Sequence, residues 1–172
     1  SPACSANPPM PDPAAGPAWN GWSPGDKNAR FQPASSAGLT ASQVPALKLK
    51  WAFGFPGATS ASSQPVVIGG RVYLSSWEGD VFSLDARTGC IHWRLETEAG
   101  VRSAITLGLG AANTPVAYFA DLAANAYAVE ASSGKVLWKT KVDAYPLARV
   151  SGSPALHGGL LYVPVSSREE SV

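Results

Sequence analysis

The side chains with the clearest chemical capacity lie in three short polar stretches in the second half of the chain. SSREES contains two adjacent carboxylates, Glu169 and Glu170, whose oxygen atoms suit a hard cation such as Ca²⁺. ARVSGS contributes Arg149 and Ser151, and VRSAIT contributes Arg102. A guanidinium is suited to binding a carboxylate through paired N–H donors. These residue types are also common in solvated loops and turns, so that alternative stays open, and the sequence does not separate the two glutamates.

Other patterns known for catalysis or ligand binding are weak in this sequence. His92 and His157 are isolated, and neither has a Ser and an Asp at plausible loop positions for a catalytic triad. The glycine-rich stretch GLGLGAAN opens no predicted helix, which argues against a nucleotide site. Cys4 and Cys90 lack C-x-x-C spacing. We expect two unrelated thiols, with a single disulfide in an oxidising compartment as the alternative.

The composition favours a globular domain rich in β-strands. The chain has 172 residues, of which 45% are hydrophobic and 15% charged, and its formal net charge is +1. This balance permits a buried core and argues against a disordered chain or one steered to nucleic acid by its charge. The 17 Gly and 15 Pro favour short strands and tight turns. No apolar run approaches the roughly 18 residues that a membrane span needs, so we predict a soluble chain.

The larger element that positions these residues is a repeat. LDARTGCIHW and VEASSGKVLW share an acid, a Gly and a Trp, so Gly89 and Gly134 lie about 45 residues apart, as do Trp93 and Trp138. Trp51 in LKLKWAFGF precedes Trp93 by a similar interval. A strand-rich period of this length is typical of a propeller with four strands in each blade. Two similar hairpins in an ordinary sandwich are the alternative.

Each period divides into four predicted strands, which in the first copy are QPVVIGG, RVYLSS, GDVFSLD and CIHWRLE. The turns DARTG and EASSG combine an acid that can accept backbone N–H bonds with a Gly that can adopt positive φ. The Trp falls on the outermost strand, where it can cover the seam to the next blade while its indole N–H reaches an acceptor. We therefore expect Trp51, Trp93 and Trp138 at equivalent positions on the outer strands of successive sheets.

The predicted fold class is all-β, a β-propeller of four-stranded antiparallel blades present as an incomplete arc of two to three blades. Residues 65–95 and 103–140 are expected to form blades, and residues 153–172 to begin the next. Residues 1–18 contain six prolines and are predicted as an extended or disordered leader. The opening segment 19–53 follows. A compact small β-fold that uses the same repeat is the alternative to a partial propeller.

Two stretches resemble a known family. PVVIGGRVYLSSWEGDVFSLDARTGCIHW resembles the repeat of the pyrroloquinoline quinone (PQQ) propellers, in which a docking Trp follows a D-x-x-T-G pattern. The copy at 114–138 is looser, with Glu130 and Ser133 replacing the Asp and the Thr. The opening segment resembles the start of quinoprotein alcohol dehydrogenases, and it is most similar to the polyvinyl-alcohol-dehydrogenase branch. The resemblance covers about residues 19–172.

This resemblance implies both a function and roles for the polar stretches. The chain would be the N-terminal portion of an eight-bladed, PQQ- and Ca²⁺-dependent alcohol dehydrogenase that passes electrons to cytochrome c. Glu169 or Glu170 would ligate the Ca²⁺ beside the quinone, and Ser151 would hydrogen-bond to the quinone. Arg149 would pair with one of its carboxylates, and Arg102 would lie near it. The remaining ligands are expected beyond residue 172. The protein would be periplasmic or secreted, with no signal peptide present in this chain.

One loop departs from the family pattern, and other functions stay open. Methanol dehydrogenases have adjacent cysteines where Arg102 is followed here by Ser103 and Ala104, so we expect no vicinal disulfide in this loop. No C-x-x-C-H motif is present, so we expect no haem site in this chain. The alternatives are a cofactor-free PQQ-repeat scaffold for protein–protein interaction, like the lipoprotein of outer-membrane barrel assembly, and a PQQ-like sensor ectodomain. The opening segment favours the dehydrogenase.

Overall fold

Alternating apolar side chains build two four-stranded antiparallel sheets and a further antiparallel pair of strands. The computed structural model describes residues 1–25 and 27–169. The first sheet consists of β1 (Val66–Ile68), β2 (Arg71–Ser75), β3 (Asp80–Asp85) and β4 (Ile91–Glu96), in that order. The second consists of β5 (Thr106–Leu109), β6 (Pro115–Ala120), β7 (Asn125–Glu130) and β8 (Val136–Lys141). The pair consists of β9 (Ala155–His157) and β10 (Leu160–Tyr162). The expected blades of four antiparallel strands are confirmed.

Burial along the strands shows that the sheets pack face to face. In β3 and β7, five of the six residues are buried whichever face they point to. Such strands read as continuous apolar runs because both faces of the sheet are covered. The outer strand β4 is partly covered by the second sheet, whereas every residue of β8 is exposed. The core between the two sheets includes Val66, Ile68, Tyr73, Val81, Trp93, Val101, Ile105, Leu107, Ala117, Phe119, Tyr127 and Val129.

Tryptophan side chains seal the junctions between successive sheets. Trp93 in β4 is 7% exposed, and its Nε1 donates to the carbonyl oxygen of Ala131, at the end of β7, at 2.9 Å. Its ring lies against Gly134, where an added Cβ would come within 2.7 Å of the indole. The same geometry recurs one blade earlier, since Trp51 donates to Ala86 O at 3.1 Å and lies against Gly89. The indole thus serves as both an apolar cover and a hydrogen-bond donor.

The expectation for the three tryptophans is confirmed for two of them and wrong in part for the third. Trp93 and Trp138 lie on the outer strands β4 and β8 of different sheets. Trp51 makes the equivalent contact with the next sheet but lies outside every strand assigned in residues 1–25 and 27–169. The reason is that a strand needs a hydrogen-bonded neighbour, and none of those residues pairs with this segment.

Asp85, the acidic residue of the first turn, organises the backbone that Gly89 reverses. Asp85 Oδ1 accepts the N–H groups of Arg87 at 3.1 Å and Thr88 at 2.7 Å, and the Thr88 hydroxyl donates to it as well. The hydrogen bond from Thr88 is the main cause that lowers the pKa of Asp85. Gly89 follows at φ 74°, a conformation that favours Gly.

The N-terminal leader is attached to the first sheet by a disulfide, which corrects the expectation of two unrelated thiols. Cys4 and Cys90 are bonded across 86 residues of sequence. The backbone places them together, because Ile91 donates to Pro2 O and accepts from the N–H of Cys4, both at 2.9 Å. Neither spacing nor composition reveals a contact of this separation, since it depends on where the leader packs.

Beyond the disulfide, the leader lies along the seam between the two sheets. The buried guanidinium of Arg71 donates to Asn7 Oδ1 at 2.7 Å and to the carbonyl oxygens of Pro8 and Ser132. Met10 is 8% exposed and packs in the core between the sheets. The leader is therefore in contact with both sheets.

The opening segment continues along the free edges of the inner strands. Trp19 exchanges two backbone hydrogen bonds with Val67 of β1, at 2.8 and 2.9 Å. The carboxamide of Asn20 donates to the carbonyl oxygen of Leu107 in β5 and accepts from the Leu107 N–H, both at 2.8 Å. Both inner strands thus have partners on the edge that their own sheet leaves open.

Helices are few and short. A 3₁₀ helix spans Ala41–Ala46, with Thr40 at its N-cap and Pro45 inside it. The α-helix Ala34–Ala37 precedes it, and a second 3₁₀ turn spans Ala111–Asn113. In the described part of the chain, no helix has the length and apolar character to cross a membrane.

Candidate functional site

All described candidate residues lie at one end of the sheets. Antiparallel strands bring the loops after β2, β4, β6, β8 and β10 to one end, while the turns after β1 and β3 lie at the other. We call the first the site end, which comprises residues 76–79, 97–105, 121–124, 142–154 and 163–169. Arg102, Arg149, Ser151 and Glu169 lie in these loops. Glu170 lies outside the described residues. The disulfide lies at the opposite end.

Backbone hydrogen bonds join the loops of the site end across successive sheets. The N–H of Val101 donates to Ser76 O at 3.0 Å, and the N–H of Val150 donates to Asp121 O at 3.3 Å. Ser76 and Asp121 occupy the same place, directly after the second strand of each sheet. The residues that follow the two valines, Arg102 and Ser151, therefore have equivalent positions in successive sheets.

The structure brings two of the polar stretches together. Arg149 and Ser166 exchange two backbone hydrogen bonds of 2.9 Å, as an isolated antiparallel bridge. ARVSGS and SSREES are therefore neighbours, although they are separated in sequence by β9 and β10. Within SSREES, the carboxylate of Glu169 is exposed and accepts a hydrogen bond from the Ser167 hydroxyl at 3.0 Å.

Positive charge accumulates where these stretches meet. The pKa of Arg149 is lowered by partial burial and, in addition, by the charges of Arg168 and Arg102. The charges of Arg168 and Arg102 thus both act on Arg149. None of the three guanidinium groups has an ion-pair partner among residues 1–25 and 27–169. A cluster of this kind is stabilised by an anion, above all by one that carries several carboxylates.

A buried carboxylate supports the loop that carries Arg149 and Ser151. Asp121 is fully buried and accepts the N–H groups of Ala123 and Asn125 at 2.9 Å and the Tyr127 hydroxyl at 2.8 Å. Burial raises the pKa of Tyr127, and the hydrogen bond to Asp121 raises it further. Because the Asp121 carbonyl also accepts from Val150, this network fixes the start of the Ser151 loop.

Arg102 and the residues after it are held by polar contacts. The Arg102 guanidinium lies over the Trp77 ring, 5.3 Å from its centroid. The Ser103 hydroxyl donates to Ala120 O at 3.4 Å, and the N–H of Ala104 donates to Ser153 Oγ at 2.8 Å. Ser103 and Ala104 occupy the positions for which the sequence predicts no vicinal disulfide.

Sequence reasoning missed three residues of this end, namely Trp77, Asp121 and Arg168. Trp77 and Asp121 stand in SSWEGD and ADLAAN, at the same point of the repeat as SSREES, so alignment of the three loops is a signal that would have found them. Arg168 is the third basic residue that the repeat places at this end. Its proximity to Arg149 depends on the bridge at Ser166, which no spacing rule predicts.

The described residues hold at most a part of a metal site. In residues 1–25 and 27–169, no three His, Cys, Asp or Glu side chains gather where they could share a metal ion. Glu169 is the one sequence-predicted site residue with a carboxylate in the described part of the chain. A hard cation such as Ca²⁺ takes six to eight oxygen ligands, so further ligands would come from other parts of the protein.

Comparison with known proteins places the chain in a repeat family. The PQQ_2 family model, described as outer membrane protein assembly factor BamB, matches residues 18–172. The chain is 45% identical to a polyvinylalcohol dehydrogenase from Pseudomonas sp. over 156 residues. The alignment covers 89% of the chain and 24% of that relative. It is 40% identical to a polyvinylalcohol dehydrogenase from Sphingopyxis sp. (strain 113P3) over 174 residues. This alignment covers 99% of the chain and 26% of that relative. The chain thus spans about a quarter of the length of these relatives.

Solved structures share the fold. The chain superposes on the quinohemoprotein alcohol dehydrogenase from Comamonas testosteroni with a TM-score of 0.75 at 20% identity, over 89% of the chain and 24% of that structure. It superposes on a europium-containing methanol dehydrogenase with a TM-score of 0.62 at 22% identity. This superposition covers 76% of the chain and 24% of that structure. At these identities the likeness concerns the propeller fold alone.

Proposed function

The chain belongs to the PQQ_2 repeat family, and from that premise we propose that it is part of a quinoprotein alcohol dehydrogenase of the polyvinyl-alcohol-dehydrogenase type. Its relatives at 45% and 40% identity bear that name. The proposal extends their activity to a chain that covers about a quarter of them. An alcohol is the proposed substrate, PQQ and Ca²⁺ are the proposed cofactors, and cytochrome c is the proposed electron acceptor.

The observation that carries this proposal is the cluster of Arg102, Arg149 and Arg168 at the site end. PQQ is a quinone with three carboxylates, and guanidinium groups bind carboxylates with charge-assisted, directional hydrogen bonds. The bridge between Arg149 and Ser166 joins the loops of Arg149 and Arg168, and the hydrogen bond from Ala104 to Ser153 joins the loops of Arg102 and Arg149. The donor set therefore fits the anionic side of this cofactor.

Each site residue predicted from the sequence has a proposed role in holding the cofactor. Arg149 pairs with a carboxylate, Ser151 donates a hydroxyl hydrogen bond to the quinone, and Arg102 balances the remaining negative charge. Bound PQQ supplies the two-electron oxidant for the alcohol, and a Ca²⁺ ion beside it supplies Lewis acidity. Glu169 or Glu170 contributes a carboxylate ligand to that ion. The residues of this chain thus bind and orient the cofactor.

The disulfide supports a location outside the reducing cytosol. Bonds such as Cys4–Cys90 persist in the periplasm and in secreted proteins, where thiols are oxidised. We accordingly propose a periplasmic or secreted protein. The cofactor-free scaffold has less support, because relatives at 40% identity and above are dehydrogenases and because a partner-binding scaffold does not require the arginine cluster.

Binding of PQQ to the full-length protein tests the proposal. Arg149→Ala and Arg102→Ala should each weaken PQQ binding, measured by isothermal titration calorimetry, by about 10- to 100-fold. This range corresponds to the roughly 1.5–3 kcal/mol of a hydrogen bond to a charged group. Arg87→Ala, at the opposite end of the first sheet, is the matched control and should bind PQQ as the unmodified protein does. The proposal is wrong if both site-end variants keep full affinity.

A further inference from the structure

Trp77 lies under the Arg102 guanidinium, and three contacts hold Trp77 itself in place. Its backbone N–H donates to Ser60 O at 3.2 Å, and its indole Nε1 donates to Ser62 Oγ at 2.8 Å. Its carbonyl oxygen packs against Gly100 so closely that an added Cβ there would come within 2.2 Å. Trp77 is therefore attached to the segment that precedes β1 through both its backbone and its ring.

The Arg102 side chain has little other support. It is exposed, and its guanidinium carbon lies 5.3 Å from the centre of the Trp77 ring. Among the described residues it forms no ion pair with an acid. A guanidinium that stacks on an aromatic ring uses its flat face for that contact and leaves the N–H donors at its edge free for a carboxylate.

We propose that Trp77 is a positioning residue that orients Arg102 toward a carboxylate of the bound quinone. This inference rests on the proposed function, since it assigns a second residue to the same anion-binding site. The physical basis is conformational. A long exposed Arg side chain loses rotamer freedom when it binds an anion, and stacking on a fixed indole removes that freedom beforehand.

The backbone geometry supports the same role. Val101 donates to Ser76 O and precedes Arg102, while Trp77 follows Ser76. One hydrogen bond therefore sets the main-chain distance between the arginine and its platform. Gly100 at the contact with Trp77 lets the two loops approach each other, because any side chain there would force them apart.

The test measures PQQ affinity in variants of the full-length protein. Trp77→Leu should weaken PQQ binding by about three- to fivefold, the effect of an exposed cation–π contact. Trp77→Phe keeps an aromatic face and should retain most of the affinity. Trp22→Leu is the matched control, because Trp22 stacks with Arg30 at 5.5 Å outside the site end, and it should bind PQQ normally.

A double-mutant cycle separates positioning from a merely structural role. In the Arg102→Ala background, Trp77→Leu should cause no further loss, because the side chain that it orients is absent. The inference is overturned if the loss persists in that background, or if Trp77→Leu alone binds PQQ at full strength. If Trp77→Leu does not fold, Ser62→Ala, which removes the acceptor of the indole, should show a smaller loss with the same dependence on Arg102, and independence overturns the inference.

The outcomes also distinguish this inference from the proposed function. If Arg102→Ala and Arg149→Ala both leave PQQ affinity unchanged, the proposed function fails together with the inference. If the arginine variants weaken binding and Trp77→Leu does not, the site stands and only the role of Trp77 is wrong.

Discussion

Arg149 is placed by its main chain rather than by its side chain. Two backbone hydrogen bonds between Arg149 and Ser166 fix the main chain of both loops where they meet. The Arg149 guanidinium has no acidic partner within the described residues. A residue held in this way can present its charge to a ligand without reorganising the loop. Partial burial and the charges of Arg168 and Arg102 lower the pKa of Arg149, and a bound anion would offset both effects.

The two adjacent glutamates should respond differently if one of them ligates Ca²⁺. In the full-length protein reconstituted with PQQ, replacing the ligand by Gln removes a charged oxygen ligand, so the Ca²⁺ concentration for half-maximal activity should rise about tenfold or more. Activity should recover at least in part at high Ca²⁺. Titrations of Glu169→Gln and Glu170→Gln with Ca²⁺ provide the measurement.

Each of these variants serves as the control for the other. The neighbour that is not a ligand should leave the Ca²⁺ dependence nearly unchanged, because two solvated loop acids would respond alike and weakly. An unchanged Ca²⁺ dependence in both variants would show that this loop is not the metal site.

At the scale of elements, the Trp–Gly contact defines how one sheet docks on the next. Trp93 reaches across to Ala131 and Gly134, and Trp51 makes the same contact with Ala86 and Gly89. In both cases the Gly has positive φ and faces the indole ring. The Gly is therefore required twice, once for the turn and once for the space that the ring occupies.

Gly134→Ala separates these two requirements when it is compared with Gly70→Ala. The two positions have nearly the same φ, 75° and 76°, but Gly70 has open space where the Cβ would lie. Gly70→Ala should lower the free energy of unfolding by about 1–2 kcal/mol from backbone strain. Gly134→Ala should lower it by about 1–3 kcal/mol more, because the Trp93 ring must move. Urea unfolding followed by tryptophan fluorescence measures both, and equal losses would refute the docking role.

The leader should detach more easily when its disulfide is reduced. The Cys4–Cys90 bond closes a loop with a sequence separation of 86, and a bond of this kind stabilises by about 2–4 kcal/mol. Dithiothreitol should therefore lower the melting temperature and expose residues 1–18 to limited proteolysis. The double variant Cys4→Ser/Cys90→Ser is the control, since it should already melt at the lower temperature and ignore the reductant. A melting temperature that dithiothreitol does not change would contradict this account.

At the scale of the molecule, the arc of sheets presents apolar surface that the described residues leave uncovered. Trp138 is 41% exposed, whereas its counterpart Trp93 is 7% exposed, because none of the described glycines lies against Trp138 as Gly134 lies against Trp93. Leu49 is 86% exposed and Leu160 is 61% exposed. Such patches and strand edges favour association.

The 172-residue chain produced by itself should therefore self-associate or bind a hydrophobic dye. Sedimentation velocity and dye fluorescence provide the measurement, and Leu49→Lys together with Leu160→Lys should reduce both signals. A monomer that unfolds in one sharp thermal transition and does not increase the dye fluorescence would instead indicate a small fold that is stable by itself.

The sequence by itself determined the period, the strands, the acidic turns and the outer-strand position of Trp93 and Trp138, because all of these depend on spacing within one repeat. Only the tertiary structure decided which distant residues meet. It paired Cys4 with Cys90, packed the leader along the seam, joined Arg149 to Ser166 and set Arg102 over Trp77. The physical reason is that strand pairing and turns are local, whereas these contacts follow from how whole sheets pack, and that depends on the summed burial of many side chains.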